Sequence, residues 1–335
     1  MSKAADGPSG VLIVDKPQGV TSHDVVAAVR HALHTKRVGH AGTLDPMATG
    51  VLVIGVEQAT KLLQYIVDHT KTYGATIRFG QRTTTDDADG EVLASENAGA
   101  PLPTLEQIRA RVESAYLGAI EQTPNTFSAI KVNGKRAYDL ARAGESVHLA
   151  SRLVTIHAFD VIDGARNTAP NGEAVFDVNV RVTCSAGTYI RALGRDLGED
   201  FGCGAHLTRL RRLAVGEFRA DNPHIVHAHA QTRTFTNRDG EQVTRNRAVF
   251  DDENAVRDAM LTMAQAAQLT MPTIDVTGEQ TDELRFGRRI PGAIGTVSAA
   301  IAGGTDVVAI VAPANSHEIK PVTVFGANTA SNTEE

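Results

Sequence analysis

A chain of 335 residues has room for about two domains of ordinary size. With 42% hydrophobic and 21% charged residues it has the composition of a soluble globular protein, and no apolar run reaches the roughly 18 residues of a membrane span. The net charge of −6 is uneven: residues 1–219 carry 24 Lys and Arg against 24 Asp and Glu, whereas residues 220–335 carry 9 against 15. A neutral body of this kind can still carry a basic, phosphate-binding stripe.

The opening MSKAADGPSG is polar, and the apolar run that follows it is too short for a secretory signal. Two cysteines, Cys184 and Cys203, are too few for a disulfide framework or a four-ligand zinc site, so a reducing, cytoplasmic location is expected. Residues 10–14 predict a first strand, and Asp15-Lys16-Pro17-Gln18-Gly19 a turn. Ser22 is the expected N-cap of a helix carrying Val25, Val26, Val29 and Leu33 at helical spacing and ending near His34. Residues 39–50 form a loop rich in Gly, Thr and Pro, and 51–54 a buried strand. Residues 71–79 alternate as a strand, and 86–90 read as a polar turn.

Thr104 and Gln107 make a capping-box pattern that opens a helix to about residue 117. Residues 153–162 and 175–184 are alternating strands of a hairpin. From Thr188 the pattern turns helical through Ile190, Leu193, Leu197 and Phe201, and Gly202 supplies the stop. Residues 220–250 are polar and irregular, a short helix follows at 255–269, and 272–325 read as a small all-β region.

The loop at 39–50 carries the strongest local signal. Asp45 stands in its middle, pushed towards an extended backbone by Pro46. Such an aspartate either closes a turn on its own backbone or presents a fixed carboxylate as nucleophile or general base. The stretch from Cys184 to Arg191 joins a strand end to a helix start, where anions are favoured and where Arg191 can reach a carboxylate. Asp86-Asp87-Ala88-Asp89-Gly90 fails as a calcium loop, because Thr85 occupies the first ligand position and a strand precedes it. Gly202-Cys203-Gly204 lacks the third glycine of a dinucleotide fingerprint, no Walker loop or HExxH is present, and the 12 histidines are dispersed. No metal or cofactor is therefore expected. Two basic clusters, Lys131, Lys135 and Arg136, and Arg209, Arg211 and Arg212, are either solvated faces or parts of a phosphate-binding stripe.

Together the segments at 10–26, 38–61, 71–91, 124–145 and 184–218 closely resemble the bacterial tRNA pseudouridine-55 synthases, the TruB-type family. The resemblance implies an α+β fold: a mixed, mainly antiparallel sheet with flanking helices, plus a small C-terminal PUA-like β domain. It implies isomerisation of one T-loop uridine of tRNA, with base flipping, no cofactor and no obligatory protein partner. By position, Asp45 matches the catalytic aspartate and Arg191 the arginine paired with it. His40, Tyr73, Tyr189 and Leu210 match substrate contacts, Tyr73 as the ring that stacks on the target base. Lys16 matches a supporting motif, and Lys61 and Asp87 are supporting or RNA-contacting candidates. The alternatives are a catalytically silent RNA-binding or tRNA-folding module, which has no need of Asp45 with Arg191, and a synthase acting on another RNA.

The expected domains are a catalytic domain at 1–220, a polar insertion or linker with a short helix at 221–270, the PUA-like domain at 271–326 and a disordered tail at 327–335. On that division, a chain ending near Ala220 would keep some activity.

Overall fold

The computed structural model describes residues 8–94, 100–125, 131–132, 135–136, 150–236 and 240–327. The tail from 328 onward, most of segment 124–145 and Glu96 lie outside the described residues. The chain divides into two compact units, one of residues 1–45, 50–67 and 215–335, the other of residues 46–49 and 68–214. Most of the first 67 residues therefore group with the last third of the chain, not with the segment that follows them.

The first unit is organised on the strand Gly10–Lys16, buried everywhere except at Asp15. A strand covered on both faces reads as a continuous apolar run, which is what residues 10–14 show. It pairs antiparallel with Thr49–Val56, from Gly10 opposite Val56 to Lys16 opposite Gly50. It also pairs parallel with Ile225–His227 and antiparallel with Leu261–Thr262. Val11 and Ile13 join Leu62, Ile66, Met263 and Phe325 in one core cluster, while Leu12 and Val14 join Val25, Val29, Ile54 and Ala248 in another.

The helix Ser22–Ala32 covers the second cluster. Its N-cap is Thr21, one residue before the expected Ser22: the Thr21 hydroxyl accepts the Asp24 N–H at 3.1 Å, and the Asp24 carboxylate accepts the Thr21 N–H at 2.8 Å. That reciprocal pair caps the first turn and leaves the Ser22 hydroxyl for another task.

The region expected to be a polar insertion or linker with a short helix carries regular structure. It contains the strand Ile225–His227, a hairpin of His229–Thr236 and Gln242–Val249, and the helices Glu253–Asp258 and Met263–Thr270. Its polar composition comes from the exposed hairpin, while Ala228, Ala248 and Val256 enter the core. Beyond it lies a C-terminal β domain, a five-stranded sheet in the order Thr273–Val276, Ser298–Ala302, Asp306–Pro313, Glu318–Val324, Ile290–Pro291. The domain is not all β: a capping box of Thr277 and Gln280 opens the helix Gly278–Arg285. Nor is it separate, because Ala299, Ile301 and Ile310 belong to the same core cluster as Val11 and Ile13.

In the second unit the strands run in the order Ala205–Val215, Lys71–Phe79, Ala174–Cys184, Arg152–Thr168, Gly118–Gln122. Lys71–Phe79 buries every second residue and pairs antiparallel with Ala174–Cys184, from Lys71 opposite Cys184 to Phe79 opposite Phe176. The expected hairpin is present and longer than its alternating core, with bulges at Ile156/Ala158 and Val161/Asp163. Thr104 and Gln107 cap the helix Leu105–Ala115 as the pattern requires. The helix Ile190–Asp200 packs through Leu193 and Leu197, and Gly198 permits its close approach, since a Cβ there would lie 2.2 Å from the Ala205 nitrogen. The α+β class and the mainly antiparallel sheet agree with the reading of the sequence.

Candidate active site

In the first unit, the strand Val38–Ala41 pairs antiparallel with Thr49–Val56, placing His40 opposite Ile54. The loop between them leaves at Gly42 and returns at Gly50, with φ of 89° and 99°, where a side chain would be strained. Ser22 fixes its middle. The Leu44 N–H donates to Ser22 Oγ at 2.8 Å, and the Ser22 hydroxyl donates to the Leu44 carbonyl at 3.1 Å. Ser22 is buried and stands at the start of a capped helix, so this link ties the residue before Asp45 to a rigid element. Leu44, Met47 and Ala48 are buried around a half-buried Asp45.

Lys16 is fully buried, and its ammonium donates to the Pro17 carbonyl at 2.9 Å. The His40 ring meets His23 edge-on, with centroids 5.5 Å apart. Lys61 stands elsewhere in this unit. Its ammonium donates to the Val324 carbonyl at 2.6 Å and lies 5.5 Å from the Phe325 ring centroid, so it fastens the last strand. Burial, and then the nearby Arg37, lower its pKa.

In the second unit, Tyr73 is buried on its strand opposite Val182. The Tyr189 backbone is bracketed by one side chain: its N–H donates to Gln122 Oε1 at 2.7 Å, and Gln122 Nε2 donates to its carbonyl at 2.9 Å. The Arg152 guanidinium lies 5.3 Å from the Tyr189 ring centroid, within cation–π range. Two residues on, the buried Arg191 makes an ion pair with Asp87 at 3.2 Å and donates to the Thr85 carbonyl at 2.9 Å. Asp87 also accepts the Thr85 hydroxyl at 2.5 Å and the Asp89 N–H at 3.1 Å. Asp86 pairs with Arg195 at 3.0 Å; burial pushes its carboxyl up, and Asn125 and Arg195 pull against that. The structure therefore brings two of the named residues, Asp87 and Arg191, together as a buried pair. Leu210 is buried, and its carbonyl accepts the Thr49 hydroxyl at 3.5 Å.

The basic cluster of the strand Ala205–Val215 is split by the pleat. Arg209 is exposed and Arg211 half-buried, but Arg212 is only 1% exposed, so it is no part of a solvated stripe. Arg212 instead bears on Lys71, whose buried ammonium donates to the His69 carbonyl at 2.6 Å. Burial first, then the Arg212 charge, lower the Lys71 pKa to about 8. Reading the residues alone passes over Lys71, although period two already puts it on the face of Tyr73. Lys131, Lys135 and Arg136 fall on a short antiparallel pair, Lys131–Val132 with Lys135–Arg136, whose side chains lie outside the described residues.

Both cysteine thiols are free and buried, and burial pushes Cys184 up to about 11. Among the described residues there is no group of three or more His, Cys, Asp or Glu arranged to hold a metal, and no helix is long and apolar enough to cross a membrane.

The fold is shared with a solved Cbf5-Nop10-Gar1 complex, at a TM-score of 0.64 and 24% identity over 95% of this chain and 84% of that one. The family model "TruB family pseudouridylate synthase (N terminal domain)" matches residues 30–190, and "tRNA pseudouridylate synthase B C-terminal domain" matches 191–267. The chain belongs to the TruB family. It is similar to the tRNA pseudouridine synthase B of Bifidobacterium longum (strain DJO10A), with 50% identity over 95% of this chain and 98% of the relative. The protein of that name from Arthrobacter sp. (strain FB24) is 48% identical over 95% and 96%.

Proposed function

We propose that this chain converts the uridine at position 55, in the T-loop of tRNA, to pseudouridine, with Asp45 as the catalytic carboxylate. The observation that carries the reading is the reciprocal Ser22–Leu44 pair, which holds the residue before Asp45 in place. A turn aspartate needs no such tether; a carboxylate that must meet one atom of a base does. Family membership and the relatives named tRNA pseudouridine synthase B supply the substrate class. The enzyme acts in the cytoplasm on tRNA and needs no second protein.

The reaction breaks the C1′–N1 bond, turns the uracil, joins C1′ to C5 and releases the C5 proton, which is balanced by protonation of N1. It is an isomerisation and consumes no oxidant, reductant or second substrate. The target base is stacked within the RNA, so it is flipped out at a cost of a few kcal/mol. Tyr73 offers a ring for the freed base to stack on, and its hydroxyl, or a water held by it, is the acceptor for the C5 proton. His40, Tyr189 and Leu210 contact the nucleotide, while Lys16 and the Asp87–Arg191 pair support the backbone around these groups. Three routes begin from Asp45: attack on C1′, attack on C6, and abstraction of the C2′ proton. The experiment is incubation with an unmodified tRNA transcript followed by chemical mapping of pseudouridine. A single new pseudouridine at position 55 supports the reading, and its absence overturns it.

A further inference from the structure

We infer that the hairpin of His229–Thr236 and Gln242–Val249 is a further RNA-binding element that grips tRNA phosphates through Arg233, Arg245 and Arg247. The inference rests on tRNA being the substrate. The hairpin lies in the acidic third of the chain, yet its two strands contain these three arginines and no Asp or Glu. The register sets Arg233 opposite Arg245 and Gln231 opposite Arg247, so all three guanidinium groups leave from one face. Like charges directly opposed destabilise an antiparallel pair. Among the described residues no carboxylate lies within ion-pair distance of the three. All three are exposed.

Phe235 lies on the same face, with its ring centroid 5.1 Å from the Arg245 guanidinium and 5.6 Å from that of Arg247. The ring holds two of the repelling groups in place. The opposite face anchors the hairpin: Thr232 donates to Asn246 at 2.8 Å, Asn246 donates to the Gly19 carbonyl at 3.2 Å, and Ala248 is buried. The arginines line a groove of about 740 Å³ with the helix Ser22–Ala32. Three acids also border that groove: Asp24 accepts the Thr21 N–H at 2.8 Å, and Asp251 and Glu253 lie 3.4 Å and 3.6 Å from the imidazoles of His229 and His31. A cluster of guanidinium groups that repel one another on a well-anchored ribbon is complementary to closely spaced anions. Guanidinium forks match phosphate oxygens two at a time, and a ring beside them suits an unstacked base. Without Leu, Ile or Trp, the two strands have little to insert into a lipid surface.

The test compares the full-length protein with the triple variant Arg233→Gln/Arg245→Gln/Arg247→Gln, measuring tRNA affinity over a salt series. The expected result is an at least tenfold weaker Kd at low salt, with the slope of log Kd against log salt reduced by about 2, because phosphate contacts release counterions. Removing the opposed charges should leave Tm unchanged or raise it, which separates a binding role from a structural one. A second variant with lysine at all three positions keeps the charge and should retain most of the salt slope. The inference is overturned if the glutamine variant binds tRNA with wild-type affinity and slope. It is also overturned if that variant loses only binding to phosphatidylglycerol vesicles. Wild-type protein that neither binds nor modifies tRNA would defeat the substrate reading instead.

Discussion

Ser22 shows how one hydroxyl can serve catalysis without touching substrate. Thr21 already caps the helix, so the Ser22 side chain makes both of its hydrogen bonds to Leu44. Ser22→Ala leaves two buried backbone groups without partners and should cost about 1–3 kcal/mol of stability. It should also slow single-turnover pseudouridine formation more than it weakens tRNA binding, which stopped-flow and filter-binding measurements check together. The two adjacent hydroxyls explain the one-residue error in the expected cap: either can occupy the position, and the Asp24 carboxylate three residues after Thr21 selects the earlier one. Lys71 gives a second test at this scale. Its folded pKa of about 8 lies below its usual value of 10.5. Below pH 8 both folded and unfolded states hold the proton, and the fold bears the cost of a buried charge. Between pH 8 and 10.5 the unfolded state binds more protons, so stability should rise with pH, by at most about 3 kcal/mol. Urea unfolding across that window should show the rise in the parent protein and lose this part of it in Lys71→Met.

At the scale of elements, the signals that came through in the sequence were local ones. Thr104 with Gln107 specified a helix start by themselves, and the alternation of residues 71–79 specified a half-buried strand. What the sequence could not show was which face of a strand would be covered. In the strand Ala205–Val215, three arginines read as one basic cluster, yet the pleat exposes Arg209, half-buries Arg211 and buries Arg212. Only tertiary packing decides that. Arg209→Gln should therefore leave stability within about 0.5 kcal/mol of the parent while reducing the salt dependence of tRNA binding, as loss of an exposed phosphate contact would. Arg212→Gln should instead lower Tm, because it removes a buried charge from a packed site. Equal effects of the two changes, measured by thermal melts and salt-titrated binding, would contradict this division.

For the whole molecule, composition misled where it was used to draw boundaries. The polar stretch after residue 220 read as an insertion or linker with a short helix, and its acidity made it look dispensable. In the structure, the strand Gly10–Lys16 is flanked by Ile225–His227 and Leu261–Thr262, and its core cluster includes Met263, Ala299, Ile310 and Phe325. A chain ending near Ala220 would expose Val11 and Ile13 and lose two of the strand's partners. It should therefore fail to fold, contrary to the expectation of residual activity. Far-UV circular dichroism and limited proteolysis of the truncated chain decide the point; a cooperative melt near that of the parent would contradict it. The function was more legible than the domains, because ordered motifs survive in sequence while the joining of distant segments into one core leaves no local mark.

The most direct test of the central claim is single-turnover pseudouridine formation by Asp45→Asn on unmodified tRNA, with a thermal melt alongside. Asparagine keeps the size and one oxygen of the side chain but removes the negative charge. The account predicts no detectable product, tRNA affinity within about tenfold of the parent, or roughly 1.4 kcal/mol, and an unchanged melt. Normal turnover by a folded Asp45→Asn protein would contradict it and return Asp45 to the role of a turn residue.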